Sequence, residues 1–157
     1  MSNIFNQDFR DFIAALNTAH VDYILVGGFS VILHGYSRTT GDMDIWVERS
    51  TINYEKIKKA FIDFGMPVFD MTESNFLNHA NWDVFTFGVP PSAIDMMVKL
   101  KGLNFAVCLP NAIDFEDDGL IIKCIHFDDL IKAKSATQRS KDLDDIENLT
   151  KNKLKPN

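Results

Sequence analysis

Val26-Gly27-Gly28-Phe29-Ser30 is followed, with thirteen residues intervening between Gly28 and Asp42, by Asp42-Met43-Asp44-Ile45, and this pairing decides how the chain is read. The apolar, partly β-branched run Tyr23-Ile24-Leu25-Val26, ended by the glycine pair, predicts a buried strand. Ser30 to His34 predicts a short helix, the Gly35 to Gly41 stretch a loop, and Met43 to Val47 the next strand. Side chains alternate faces along a strand, so Asp42 and Asp44 point one way and Met43 and Ile45 point into the core. Two carboxylates held side by side repel each other, and a bound divalent cation is the usual remedy; oxygen ligands favour Mg²⁺ or Mn²⁺. At the strand-to-helix turn, Gly27 and Gly28 leave backbone N–H groups unobstructed and Ser30 adds a hydroxyl, the makings of a phosphate cradle. A glycine pair alone is weak ground for that reading; its conjunction with the acidic strand is what carries weight.

Working outward, Phe5, Phe9, Phe12, Ile13 and Leu16 recur at helical spacing and predict an amphipathic helix over the first ~17 residues. After the acidic strand, Ser50 or Thr51 caps a helix that buries Ile57, Phe61 and Phe64 and stops at Gly65. Residues 66 to 91 stay open: Val68-Phe69 and Val84-Phe85-Thr86-Phe87 suit strands, and Thr72 to His79 suits a turn or short helix. Ile94 to Leu100 and Ile121 to Phe127 predict further strands. The C-terminal part turns helical, capped near His126 or Asp128, with Leu130, Ile131 and Ala133 facing inward. A second helix is marked by Leu143, Ile146 and Leu149, and the tail from Lys151 is expected to fray. Strands mixed with helices rather than strictly alternating predict an α+β, or α/β two-layer, fold over one domain spanning residues 1–157, its core about 20–150.

The composition agrees with an ordinary globular chain: 157 residues, 46% hydrophobic and 24% charged. No apolar run approaches the ~20 residues that cross a bilayer, and the start Met1-Ser2-Asn3 lacks the regions of a signal peptide, so a cytoplasmic protein without membrane contact is expected. Cys108 and Cys124, without metal-ligand spacing, read as small buried hydrophobes. The net charge of -6 disfavours general nucleic-acid binding, although Lys123, Lys132, Lys134, Arg139, Lys141, Lys151, Lys153 and Lys155 gather toward the C-terminus. Neither Gly-x-x-x-x-Gly-Lys-[Ser/Thr] nor Gly-x-Gly-x-x-Gly occurs, which excludes the P-loop and dinucleotide-binding motifs.

Val26-Gly27-Gly28, then Asp42-Met43-Asp44-Ile45, then Ile94-Asp95-Met96 resembles the signature of the nucleotidyltransferase superfamily, the group that includes DNA polymerase beta and small bacterial toxin-type enzymes. Phe87-Gly88-Val89-Pro90-Pro91, Asp129 to Lys134 and Arg139-Ser140-Lys141-Asp142-Leu143 extend the likeness over roughly Tyr23 to Leu149. Two departures stand out: Ala93 where an arginine is expected, and Thr137-Gln138 in place of Ser-Gly.

The resemblance implies a mixed sheet flanked by helices and transfer of a nucleoside monophosphate from a nucleoside triphosphate such as ATP to a hydroxyl acceptor. It implies Asp42, Asp44 and Asp95 as catalytic metal ligands for Mg²⁺ or Mn²⁺. Gly27, Gly28 and Ser30 then hold phosphates, with Arg38, Lys134 and Arg139 as cationic supports. Plainer readings stand beside these: Arg38 as loop solvation, Lys134 lying along its helix, Arg139 pairing with Asp142 or Asp145, and His34 as a helix-end core histidine. Asp83 competes with Asp95 as third carboxylate but lacks flanking strand on both sides. The acceptor is expected to be a small molecule, a tRNA end or a protein, and a homodimer partner or another chain, an antitoxin if the protein is of the toxin type, is expected to complete the cleft. The competing readings are a non-catalytic partner protein that keeps the fold and a metal-dependent phosphohydrolase.

Overall fold

The computed structural model describes residues 4–78 and 82–154. Met1 to Asn3, His79 and Lys155 therefore lie outside the described residues.

A six-stranded mixed sheet runs in the order β3-β4-β2-β1-β6-β5. Its strands are β1 (Tyr23–Val26), β2 (Met43–Val47), β3 (Val84–Phe87), β4 (Ile94–Met97), β5 (Ile113–Asp117) and β6 (Leu120–Cys124). The pairs β1/β2, β3/β4 and β5/β6 are antiparallel, whereas β2/β4 and β1/β6 are parallel. Seven α-helices accompany the sheet among the described residues: α1 (Gln7–Thr18), α2 (Gly27–Leu33), α3 (Thr51–Phe64), α4 (Glu73–Leu77), α5 (Phe105–Cys108), α6 (Phe127–Thr137) and α7 (Ser140–Leu154). The fold is α+β, as the mixture of elements predicts.

Local chemistry sets the helix ends. Asn6 caps α1 by accepting the Phe9 N–H at 2.8 Å, and Ser50 caps α3 by accepting the Asn53 N–H at 3.1 Å. Gly65 ends α3 at φ +89°, a conformation that glycine adopts without a Cβ clash. His126 caps α6, its ring nitrogen accepting the Asp128 N–H.

The two faces of the sheet differ. Met43, Ile45, Ile94, Met96, Phe85 and Phe87 share one face by alternation and register and are all buried. Phe87 meets Phe61 of α3 edge-on, and Phe61 meets Phe12 of α1 in the same way, so these helices close the core on that side. The opposite face carries Asp44 and Trp46 of β2 with Asp95 and Met97 of β4. Trp46 is covered by Phe105 of α5, while the two aspartates lie nearer the strand starts.

Several expected boundaries move. The helix α2 begins at Gly27 rather than Ser30, because the glycine at φ +70° turns the chain into the helix directly. Val68-Phe69 is not a strand; Phe69 lies in a turn at positive φ. Within 72–79 the structure forms α4, capped by Thr72. The strand from Ile94 stops at Met97, and the one expected over Ile121 to Phe127 runs from Leu120 to Cys124, since Phe127 opens α6. The strand β5 and the helix α5 were not legible, β5 because its alternation mixes acids with half-exposed apolar residues. Leu143 was expected to face inward and instead is 53% exposed. Asp142, Asp145 and Leu149 form the buried face of α7, which continues to Leu154 rather than fraying at Lys151. Cys108 and Cys124 are buried free thiols.

Candidate active site

The site starts at the β1–α2 turn. Val26 pairs with Asp44 across β1 and β2, so Gly27 emerges beside the Asp44 side chain. A Cβ on Gly27 would lie 2.0 Å from Asp44 Oδ2, and one on Gly28 would lie 2.2 Å from Thr40 Oγ1. The glycine pair thus serves a close approach of the turn to Asp44 and to the loop preceding β2. Ser30 does not supply the free hydroxyl expected of it. It is fully buried, and its Oγ donates to the Gly27 carbonyl at 2.6 Å, a back-bond within the first turn of α2.

Asp44 and Asp95 face each other in the parallel register of β2 and β4. Thr86, opposite Asp95 on β3, donates its hydroxyl to Asp95 Oδ1 at 2.7 Å. Asp42, one residue before β2, accepts the Ala93 N–H at 3.1 Å through Oδ1. Ala93 itself is fully buried and supplies no cation at the position where an arginine is expected. Burial pushes the Asp44 carboxyl up to about 6, with the Asp95 charge adding to the shift, Lys141 opposing it, Asp42 adding and Lys134 opposing.

All three carboxylates line one open cleft of about 620 Å³, together with Gly28, Arg38, Thr40, Gly41 and Lys141. The donor set fits a hard divalent cation in its chemistry: carboxylate oxygens in mutual repulsion, one with abnormally high proton affinity. It is not a closed cage. Among the described residues no three His, Cys, Asp or Glu side chains converge closely enough to hold a metal ion, and Asp42 and Asp95 each have an oxygen turned to a neighbour. A smaller cavity of about 140 Å³ also borders Asp44, its walls apolar at Met97, Leu100, Ile125 and Leu130 and charged at Lys134, Arg139 and Asp142. Asp44 therefore borders both hollows, the one with apolar and cationic walls and the polar cleft.

The three expected cationic supports are drawn together by α7 rather than left free. Lys134 is buried, its Nζ 3.3 Å from Asp142 Oδ1 and 3.0 Å from Asp145 Oδ2. Arg139 Nε donates to Asp142 Oδ2 at 2.7 Å, the pairing that its plainer reading anticipates. Arg38 Nη2 donates to Asp145 Oδ2 at 3.2 Å, and its Nε lies 2.9 Å from Oδ1 as an ion pair without hydrogen-bond alignment. Burial works against ionised Asp142, but hydrogen bonds from Arg139 and Thr137 and the Lys134 charge outweigh it and hold its carboxyl well below the usual carboxylate range. Three cations thus meet two carboxylates, leaving an excess of positive charge beside Asp44.

Sequence reasoning missed Thr40 and Thr86, placed Lys141 only among the C-terminal basic residues, and named Asp142 and Asp145 only as partners for Arg139, not as the buried face of their helix. The signal for the last two was present: Asp142, Asp145 and Leu149 recur at helical spacing and compete with the Leu143, Ile146, Leu149 stripe. His34 ends α2 as a half-buried histidine whose Nε2 lies 2.6 Å from the Ile125 carbonyl, and burial lowers its pKa. Asp83 is 54% exposed and pairs with Arg49 at 3.6 Å, away from the cleft residues.

No protein-family model matches the sequence, and no curated protein matches it. The fold is similar to the crystal structure of a Thermotoga maritima protein described as a "putative nucleotidyltransferase", with a TM-score of 0.54 and 12% identity over 92% of this chain and 91% of that one. The architecture expected from the signature residues, a nucleotidyltransferase-like mixed sheet flanked by helices, is the one the chain adopts.

Proposed function

We propose that the chain is a metal-dependent nucleotidyltransferase that moves a nucleoside monophosphate from a nucleoside triphosphate to a hydroxyl acceptor. The observation that carries this reading is the Asp44–Asp95 pair, opposed across β2 and β4, beside the Gly27-Gly28 turn in a cleft that also holds Asp42 and Lys141. A purely structural domain gains nothing from acids that repel each other in a partly buried cleft.

In this reading Asp42, Asp44 and Asp95, which line one cleft without forming a closed cage, would draw together on Mg²⁺ or Mn²⁺, and the metal would supply neutralisation of phosphate charge and a lowered acceptor pKa. The remaining work falls to the chain. Lys141, exposed on the cleft rim, and the net positive cluster behind Asp44 attract the triphosphate. The Gly27-Gly28 turn admits the phosphates close to the backbone. Asp95, steadied by the Thr86 hydroxyl, takes the acceptor's proton. Two features favour a second reading, a nucleotide-binding partner protein without turnover: the open carboxylate arrangement, and the engagement of Arg38, Lys134 and Arg139 by α7.

Thermal shift and calorimetry with ATP, GTP, CTP and UTP, with and without Mg²⁺, test binding, and pyrophosphate release in a cell lysate with labelled triphosphate tests transfer. Metal-dependent binding with label on an acceptor supports the enzyme. Binding without release supports the partner protein. Release of phosphate with no labelled acceptor points to hydrolysis, and the absence of any triphosphate response overturns the proposal.

A further inference from the structure

α7 turns two carboxylates inward and a leucine outward. Asp142 and Asp145 are 0% and 1% exposed, while Leu143, between them, is 53% exposed. A buried ion pair is weak ground for stability, since desolvation offsets most of the attraction and apolar replacements of similar size do as well. The arrangement is better explained by where it fixes its partners.

Those partners include the wall of the cleft. Loop 35–41 is tied to α7 at three points: Asn152 Nδ2 donates to the Gly35 carbonyl at 2.8 Å, the Tyr36 hydroxyl donates to Asp144 Oδ2 at 3.0 Å, and Arg38 is held by Asp145. Of the three anchors on α7, Asp145 is the buried one, and it also takes Lys134 from α6. Arg38, Thr39, Thr40 and Gly41 of this loop then line the cleft, and Arg38 Nη2 and Thr40 press on Gly28. A chain of contacts therefore runs from Asp145 through Arg38 and Thr40 to the turn beside Asp44.

We propose that Asp145 is a positioning residue: through Arg38 it holds loop 35–41 against the Gly27-Gly28 turn and through Lys134 it fixes α6 across the cavity that Gly27 lines, so that the cleft is set for a magnesium–triphosphate group before one arrives. This rests on the nucleotidyltransferase reading for the identity of the occupant, but not for the mechanical link. Preorganisation of this kind stores the ordering of the loop in the fold instead of charging it to binding.

The test is amide hydrogen exchange on the full chain, read peptide by peptide, together with affinity for Mg²⁺–tripolyphosphate, for the parent, Asp145→Asn, Asp145→Glu and Arg38→Gln. Asp145→Asn is expected to speed exchange in 35–41 by about tenfold or more while β1 keeps its parent rates, and to weaken tripolyphosphate by a similar factor. Asp145→Glu, which keeps the charge, restores most of both. Arg38→Gln cuts the loop tie without exposing the Lys134 pocket, so it reports even if Asp145→Asn fails to fold, and it is expected to loosen 35–41 alike. Exchange that rises evenly over β1, β2 and the loop, or a loop unchanged in both variants, overturns the positioning role. A parent that ignores Mg²⁺–tripolyphosphate while the variants' loop loosens as expected overturns the nucleotidyltransferase reading instead.

Discussion

Gly27 and Asp44 occupy one another's space: the Asp44 carboxylate lies so close to the Gly27 α-carbon that a Cβ there would sit 2.0 Å from Oδ2, 2.8 Å from Cγ and 2.9 Å from the Asp44 Cβ. Gly27 is also at φ +70°, which disfavours any side chain. The two constraints are independent: the contact arises because β1 and β2 pair in a register that sets Val26 opposite Asp44, and the positive φ because Gly27 turns the chain from β1 directly into α2. The glycine that begins α2 is thereby the reason Asp44 can be half-buried at the cleft and still reach it.

Gly27→Ala is accordingly expected to destabilise the fold by about 1–3 kcal/mol from backbone strain alone, with displacement of Asp44 added. Urea unfolding measures the first effect, and loss of Mg²⁺-dependent triphosphate binding measures the second.

Asp44→Asn is expected to raise the melting temperature at neutral pH in metal-free buffer. The folded Asp44 has its pKa raised from 3.8 to about 6, so the folded state holds this proton more tightly than the unfolded state does. Its contribution is neutral below about 4, turns unfavourable as pH rises through the window to about 6, and stays unfavourable above. Differential scanning calorimetry of the parent and variant should therefore converge near pH 4 and separate by several degrees above pH 6.

Asp142 sets the acid limit with the opposite sign. Its folded pKa is depressed, so the stability it contributes is complete above the ordinary carboxylate value near ~4 and is lost as pH falls through the lower folded value. Asp142→Asn leaves Lys134 buried beside Asp145 alone and is expected to cost about 3–5 kcal/mol at pH 7. The acid unfolding profile of this variant, compared with the parent, checks the sign.

Lys141→Ala removes an exposed cation from the cleft rim and is expected to leave the melting temperature at low pH unchanged. Because Lys141 lowers the Asp44 pKa, the variant should move that titration upward from about 6, a shift readable by carbon-detected NMR of the aspartate carboxyls. Triphosphate affinity should fall and become less dependent on salt.

The elements that position the site were legible wherever a short-range rule acts alone. Strand Tyr23–Val26 is an apolar run punctuated by glycine, Met43–Val47 alternates, and α3 carries a serine cap and a glycine stop. The alternation that sets Asp42 and Asp44 on one side of a strand is a property of the backbone period and needs no partner strand. By contrast, Ser30 was misread because a hydroxyl in a sequence has no direction; only the helix start at Gly27 aims it at a carbonyl three residues back.

α7 shows the same divide at a larger scale. Its sequence offers two helical stripes, Leu143-Ile146-Leu149 and Asp142-Asp145-Leu149, and hydropathy favours the first. The fold selects the second, because Lys134 and Arg38, from positions 8 to 107 residues away, arrive at that face with charges that only carboxylates can meet. Periodicity, turns and the spacing of acids are local, so the sequence by itself determined the β1–α2–β2 unit and the pairing of carboxylates with glycines. Which cations close over which acids, and that Asp95 comes to lie opposite Asp44, depend on strand order and on Coulomb partners distant along the chain, and those only the tertiary structure decided.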